Sequence, residues 1–128
     1  MSISSVQTEK APAAIGPYSQ AIAAGPFLFV SGQIGLVPAT GEMVGEDLAS
    51  QARQALQNMV QIVEAAGLTT QQIVAVDVYL TDIRQFGPFN EIYQEFFSSH
   101  RPARAVVQVG GLPKDAAVEI KCVACSGY

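Results

Sequence analysis

Few residues in this 128-residue chain could carry chemistry, and their types narrow what that chemistry is. The single histidine, His100, gives no basis for a Ser-His-Asp triad. No glycine-rich phosphate loop, His-Glu-x-x-His pair or paired metal-ligand spacing occurs. Cys122 and Cys125 have C-x-x-C spacing, which invites a redox or zinc reading. Both fall in a strand-like run, where residues three apart face opposite ways. Their Cα atoms would stand roughly 10 Å apart, beyond the ~7 Å reach of a disulfide. Packing is their expected role. What remains is a pair of charges set in apolar surroundings: Arg104 in Pro102-Ala103-Arg104-Ala105-Val106-Val107, and Glu119 in Val118-Glu119-Ile120. Buried without a partner, either charge is strongly destabilising. They are rim residues, a structural ion pair, or parts of a functional site. A short connection, Gly110-Gly111-Leu112-Pro113-Lys114-Asp115, joins their two runs, so these strands are expected to pair and draw Arg104 towards Glu119.

The elements that must position these residues are legible in the patterning. Residues 2–8 suit an edge strand, and residues 10–18, with Pro12, Gly16 and Pro17, an ordered loop. Residues 19–24 and the apolar run 27–30, which leads into Ser31-Gly32-Gln33, flank a Gly25-Pro26 turn and read as a hairpin. A second loop, residues 37–46, contains Pro38 and a Thr40-Gly41 turn. Asp47 is a suitable N-cap for a helix in which Leu48, Ala52, Ala55, Met59, Ile62 and Ala66 share one apolar face. Gln51, Arg53, Gln54, Gln57, Gln61 and Glu64 fill the opposite side, and Gly67 ends the helix. A β-branched strand follows at residues 72–80. A second helix tolerates Pro88 in its first turn and aligns Phe89, Ile92, Tyr93, Phe96 and Phe97. Strands at residues 103–109 and 116–125 complete the order β-β-β-α-β-α-β-β. This is an α+β layer, one mixed sheet with two helices on one face.

Size and composition agree with one domain spanning residues 1–128. The chain is 49% hydrophobic, only 14% charged and carries a net charge of −4. Its seven basic residues are scattered, which gives no electrostatic footprint for nucleic acid. No apolar run approaches membrane-spanning length and the N-terminus lacks the order of a secretory signal, so a cytoplasmic location is expected. Within the strand at residues 72–80, residues 73–80 are apolar in both phases except at Asp77. Two helices cover only one sheet face, so the other face is expected to be buried against further copies of the chain.

Five motifs run through the chain: Ala11-Pro12-Ala13-Ala14-Ile15-Gly16-Pro17-Tyr18-Ser19-Gln20, Ser31-Gly32-Gln33-Ile34, Asn90-Glu91-Ile92-Tyr93 with Phe96-Phe97, Pro102-Ala103-Arg104-Ala105-Val106, and Leu112-Pro113-Lys114-Asp115-Ala116-Ala117-Val118-Glu119-Ile120. Together they resemble the RidA (YjgF) family. The resemblance covers almost the whole chain. It implies a chorismate-mutase-like α+β fold, a mixed six-stranded sheet, and a homotrimer whose sheets line an inner barrel with clefts between subunits. It also implies hydrolysis of 2-aminoacrylate, 2-aminocrotonate and their imine tautomers to 2-keto acids and ammonia, without a cofactor. Pyridoxal-phosphate-dependent dehydratases release such species. Carried onto this chain, Arg104 anchors the substrate carboxylate through a two-pronged grip that lysine does not reproduce. Glu119 positions water and moves its proton. Tyr18 closes over the substrate, Ser31 hydrogen-bonds its carboxylate or imine, Gly32 admits close backbone approach, and Asn90 stands beside the cleft. Many relatives have cysteine where this chain has Val106, so no thiol chemistry is carried over. The resemblance leaves two rivals, a non-catalytic trimer that binds small molecules or acts as a chaperone, and an RNA-cleaving or translation-inhibiting protein. The acidic balance and the lone histidine count against the latter.

Overall fold

The first helix forms where the apolar spacing demands it. In the computed structural model, which describes residues 2–127, Asp47 accepts a hydrogen bond from the Ser50 amide at 2.9 Å and opens α1 (Leu48–Ala65). Gly67, at φ +83°, takes the left-handed conformation that stops it. Before α1 come β1 (Ile3–Val6), β2 (Ala21–Ala24) and β3 (Phe27–Gln33), and after it β4 (Ile73–Leu80), α2 (Phe86–Phe96), β5 (Ala103–Gln108) and β6 (Val118–Cys125). They form one six-stranded mixed sheet in the order β1-β2-β3-β6-β4-β5, with both helices on one face. The expected fold class and element order are those observed.

Alternation along the strands separates the two faces. Leu28 and Val30 of β3, Val76, Val78 and Leu80 of β4, and Val118, Ile120, Cys122 and Ala124 of β6 are buried under the helices. Together with Leu56, Met59, Ile62 and Phe89 they make the core. The opposite face carries Phe27, Phe29 and Val107, each more than two-fifths exposed, beside half-buried Ala75, Tyr79 and Val123. A single chain therefore leaves much of a largely apolar sheet face uncovered. Cys122 and Cys125 point to opposite faces and are free, as expected for packing residues.

Two expectations are corrected. β5 does not pair with β6: it lies parallel to β4 at the sheet edge, with Arg104 opposite Val76. β4, α2 and β5 form a parallel crossover unit, which seats β5 directly beside β4. β6 takes the other side of β4, between it and β3, where both of its edges find antiparallel partners. The connection between β5 and β6 straddles the end of β4, fastened by the Val109 amide on Leu80 O (2.8 Å) and the Thr81 amide on Ala117 O (3.2 Å). The second correction concerns Gln51, which is only 3% exposed rather than on the solvent side of α1. Its Nε2 donates to Gly45 O at 2.9 Å and its Oε1 accepts from the Ala117 amide at 2.7 Å. Burial is tolerated because both ends of the amide are satisfied.

Candidate active site

β3 and β6 build the first cavity. The β3 ladder shifts register between Val30 and Gln33, a bulge that turns Ser31 and Gly32 out of regular pairing. Glu119, on the open face of β6, fills the space this creates. A Cβ on Gly32 would collide with the Glu119 carboxylate, lying 2.8 Å from its Cδ. The missing side chain of Gly32 thus makes room for Glu119 itself. Burial raises the Glu119 carboxyl above the usual carboxylate range, and Lys121 partly opposes this. Tyr18, 52% exposed, stands at the rim with its ring over Gly16. Tyr18, Gly32, Lys114 and Glu119 line a cavity of about 460 Å³.

Ser31 fastens this half-site. Its hydroxyl donates to Ser19 O at 2.5 Å and its amide to Gln20 O at 2.9 Å. With its proton so committed, Oγ has only lone pairs to offer, so a carboxylate is not among its natural partners. Sequence reasoning missed the polar side chains that hold the surrounding loops. Buried Gln20 accepts from the Thr8 amide at 2.7 Å and donates to Pro12 O at 2.8 Å. Asn58 donates to Ile34 O and Leu36 O at 3.2 and 2.9 Å. Gln51 ties α1 to the residue two before Glu119. Their only signal was an amide placed against an apolar helix or strand face.

α2 and β5 build the second cavity. Arg104 lies on the helix-bearing side of the sheet and donates from Nη1 to Asn90 Oδ1 at 2.7 Å. Its guanidinium carbon stands 4.7 Å from the ring centre of Tyr93 and 5.5 Å from that of Phe86. Such contact with π-faces orients the cation without neutralising it. Among the described residues no carboxylate pairs with Arg104, so the site is poised for an external anion. Asn90, Tyr93, Arg101 and Arg104 line a cavity of about 340 Å³. The Tyr93 hydroxyl is buried with no hydrogen-bond partner among the described residues, and burial raises its pKa, which Arg104 opposes.

The predicted residues therefore divide into two groups. Tyr18, Ser31, Gly32 and Glu119 gather at one place, Asn90 and Arg104 at another. Glu119 is level with Tyr79 on β4 and Arg104 with Val76, on opposite faces and two strands apart. Strand spacing puts their Cα atoms roughly 14 Å apart. Within one chain they do not meet, contrary to the expectation from the connection between them. His100 donates from Nε2 to Ile73 O at 2.6 Å and is tied into the fold.

The sheet, its two helices and this pair of cavities define a small α+β domain of the YjgF type. The chain belongs to the RidA family: residues 8–126 match the family described as endoribonuclease L-PSP. It is 50% identical over 117 residues to a RutC family protein of Pyrococcus horikoshii, covering 91% of this chain and 93% of the relative. It is 47% identical over 122 residues to human 2-iminobutanoate/2-iminopropanoate deaminase, covering 95% and 89%. The structure of Escherichia coli TdcF with bound serine superposes with a TM-score of 0.91 at 43% identity, covering 95% of this chain and 98% of that one. No helix among the described residues is long and apolar enough to cross a membrane.

Proposed function

We propose that the protein hydrolyses 2-imino acids, and the enamines in equilibrium with them, to 2-keto acids and ammonia. The observation that carries this reading is the pair of half-sites: an unneutralised arginine fixed by Asn90 and two rings, and a half-buried carboxyl of raised pKa. Curated mammalian relatives named 2-iminobutanoate/2-iminopropanoate deaminase support it.

The separation of the halves requires two copies. The edge of one chain, bearing Arg104 and Asn90, meets the cavity of the next, bearing Glu119, Tyr18 and Ser31. These patches differ, so the contact is heterologous, and it builds a ring when the rotation from copy to copy closes. The family resemblance points to three copies. The uncovered apolar face with Phe27, Phe29 and Val107 lines the centre of that ring.

Arg104 holds the substrate carboxylate, with Asn90 fixing the guanidinium plane. Glu119 accepts a proton from water as its oxygen bonds to the imine carbon. That proton passes to nitrogen to give the carbinolamine, and the new hydroxyl's proton follows it to nitrogen through Glu119. The carbon–nitrogen bond breaks as the carbon–oxygen double bond forms, releasing ammonia and the keto acid. Ser31 Oγ accepts the imine N–H. A carboxyl whose pKa is lifted towards neutrality suits both steps. Enamines of this type are released by pyridoxal-phosphate-dependent dehydratases, which makes those enzymes the natural suppliers.

A coupled assay tests the reading. A serine or threonine dehydratase generates the enamine, and keto-acid release is followed with and without this protein. Acceleration by wild type and none by Arg104→Ala or Arg104→Lys is the expected result. A wild-type ring that accelerates neither substrate overturns the deaminase reading and leaves carboxylate binding as the function of the Arg104 cavity.

A further inference from the structure

The four arginines of this acidic chain divide in a way that the hydrolysis of simple imino acids does not explain. Arg53 is paired with Glu95 and Arg84 with Asp82, both at the surface. Arg101 and Arg104 have no carboxylate partner among the described residues, and both line the cavity between α2 and β5. Eleven Asp and Glu residues were available to neutralise them, yet none faces this cavity. Its remaining polar lining is Asn90, Gln94 and the Tyr93 side, which adds no negative charge. Two unneutralised guanidinium groups lining one cavity repel each other, and an anion with two charges relieves that repulsion more fully than one with a single charge. Pro102, between them, restricts the backbone and so limits how far the two side chains can diverge.

We propose that Arg101 is a specificity residue that receives a second carboxylate, so that the protein acts on 2-imino dicarboxylic acids of four or five carbons. The inference rests on the deaminase reading and names its substrate class. Arg104 holds the carboxylate next to the imine carbon, and Arg101 holds the one at the end of the side chain. The overall reaction is unchanged: water adds its oxygen to the imine carbon, the carbon–nitrogen bond breaks, and a 2-keto dicarboxylate and ammonia leave. No oxidant or further reactant takes part.

Two measurements on the full-length wild-type protein and Arg101→Gln test this. In the first, an L-amino-acid oxidase generates imines from alanine and from glutamate, and their decay is followed. In the second, calorimetry measures binding of the products pyruvate and 2-oxoglutarate. Wild type is expected to favour the dicarboxylic member of each pair by about fivefold, the ratio an exposed ion pair can supply. Arg101→Gln should remove that preference by weakening the dicarboxylic values about fivefold more than the monocarboxylic ones, and added salt should shrink it in wild type. Equal treatment of both classes by wild type, or a preference that survives Arg101→Gln, overturns the proposal. Wild type that hydrolyses the alanine-derived imine but not the other overturns it while sparing the deaminase reading. Wild type that hydrolyses neither imine yet binds 2-oxoglutarate through Arg101 overturns deamination and retains the two-carboxylate site.

Discussion

The two cavities reach readiness by opposite means. Around Glu119 the chain is enclosed: a β-bulge, a glycine and loops tied by Gln20, Gln51 and Asn58 press backbone around a half-buried carboxyl. Around Arg104 it is open, and the cation is held at a strand edge by one amide and two rings. The first arrangement perturbs a proton affinity, which needs desolvation. The second preserves a full charge for a ligand, which needs water access until the ligand or a neighbouring chain arrives. Under the proposed function, chemistry and recognition fall to separate parts of one fold, and the proposed ring joins them.

Removing the proton carrier should have the largest effect. Glu119→Gln is expected to lower kcat by about 10²–10⁴-fold with KM little changed, measured in the coupled assay. Its effect on stability has the opposite sign. A carboxyl whose folded pKa is raised binds more protons folded than unfolded. Its contribution is therefore full below the unfolded pKa and declines as pH rises through the folded value. At neutral pH the variant should melt no lower than wild type, and its advantage should vanish in acid. Turnover by wild type should rise with pH through the same raised pKa.

Gly32→Ala comes next, because its methyl group displaces the Glu119 carboxylate. A shift of about 1 Å at a reacting group costs up to ~10²-fold, again in kcat. The Arg104 cavity should respond in the other parameter. Asn90→Ala frees the guanidinium but leaves its charge, so KM should rise roughly fivefold while kcat changes less than twofold. Should both variants act on kcat, the division between the cavities is wrong. The smallest change belongs to Tyr93→Phe. It keeps the ring beneath Arg104 and deletes a buried hydroxyl without a partner, so thermal unfolding should be neutral or stabilised by up to ~1 kcal/mol.

The helix caps, the strand alternation and the apolar open face were legible because each rests on local period or on a single capping residue. Asp47, Gly67 and the apolar stripe of α1 needed no knowledge of partners. The place of β5 was not legible, since strands joined by a short connection pair only if no parallel crossover claims one of them. Gln51 was misassigned because a helical wheel counts polarity, whereas its burial follows from two backbone groups supplied by residues 45 and 117. The candidate site residues were named by type and motif. Their division between two faces lies in the sheet order, which no local pattern carries.

The claim that binds the account together is that Arg104 of one copy works with Glu119 of another. Arg104→Ala and Glu119→Gln chains, each inactive alone, should be co-expressed in equal amounts and assayed as mixed rings. Random assembly places an intact Arg104 against an intact Glu119 at about a quarter of the interfaces. Recovery of about a quarter of wild-type turnover is the expected result. Mixed rings that stay as inactive as their parents would contradict it, because neither residue then completes a site on its neighbour.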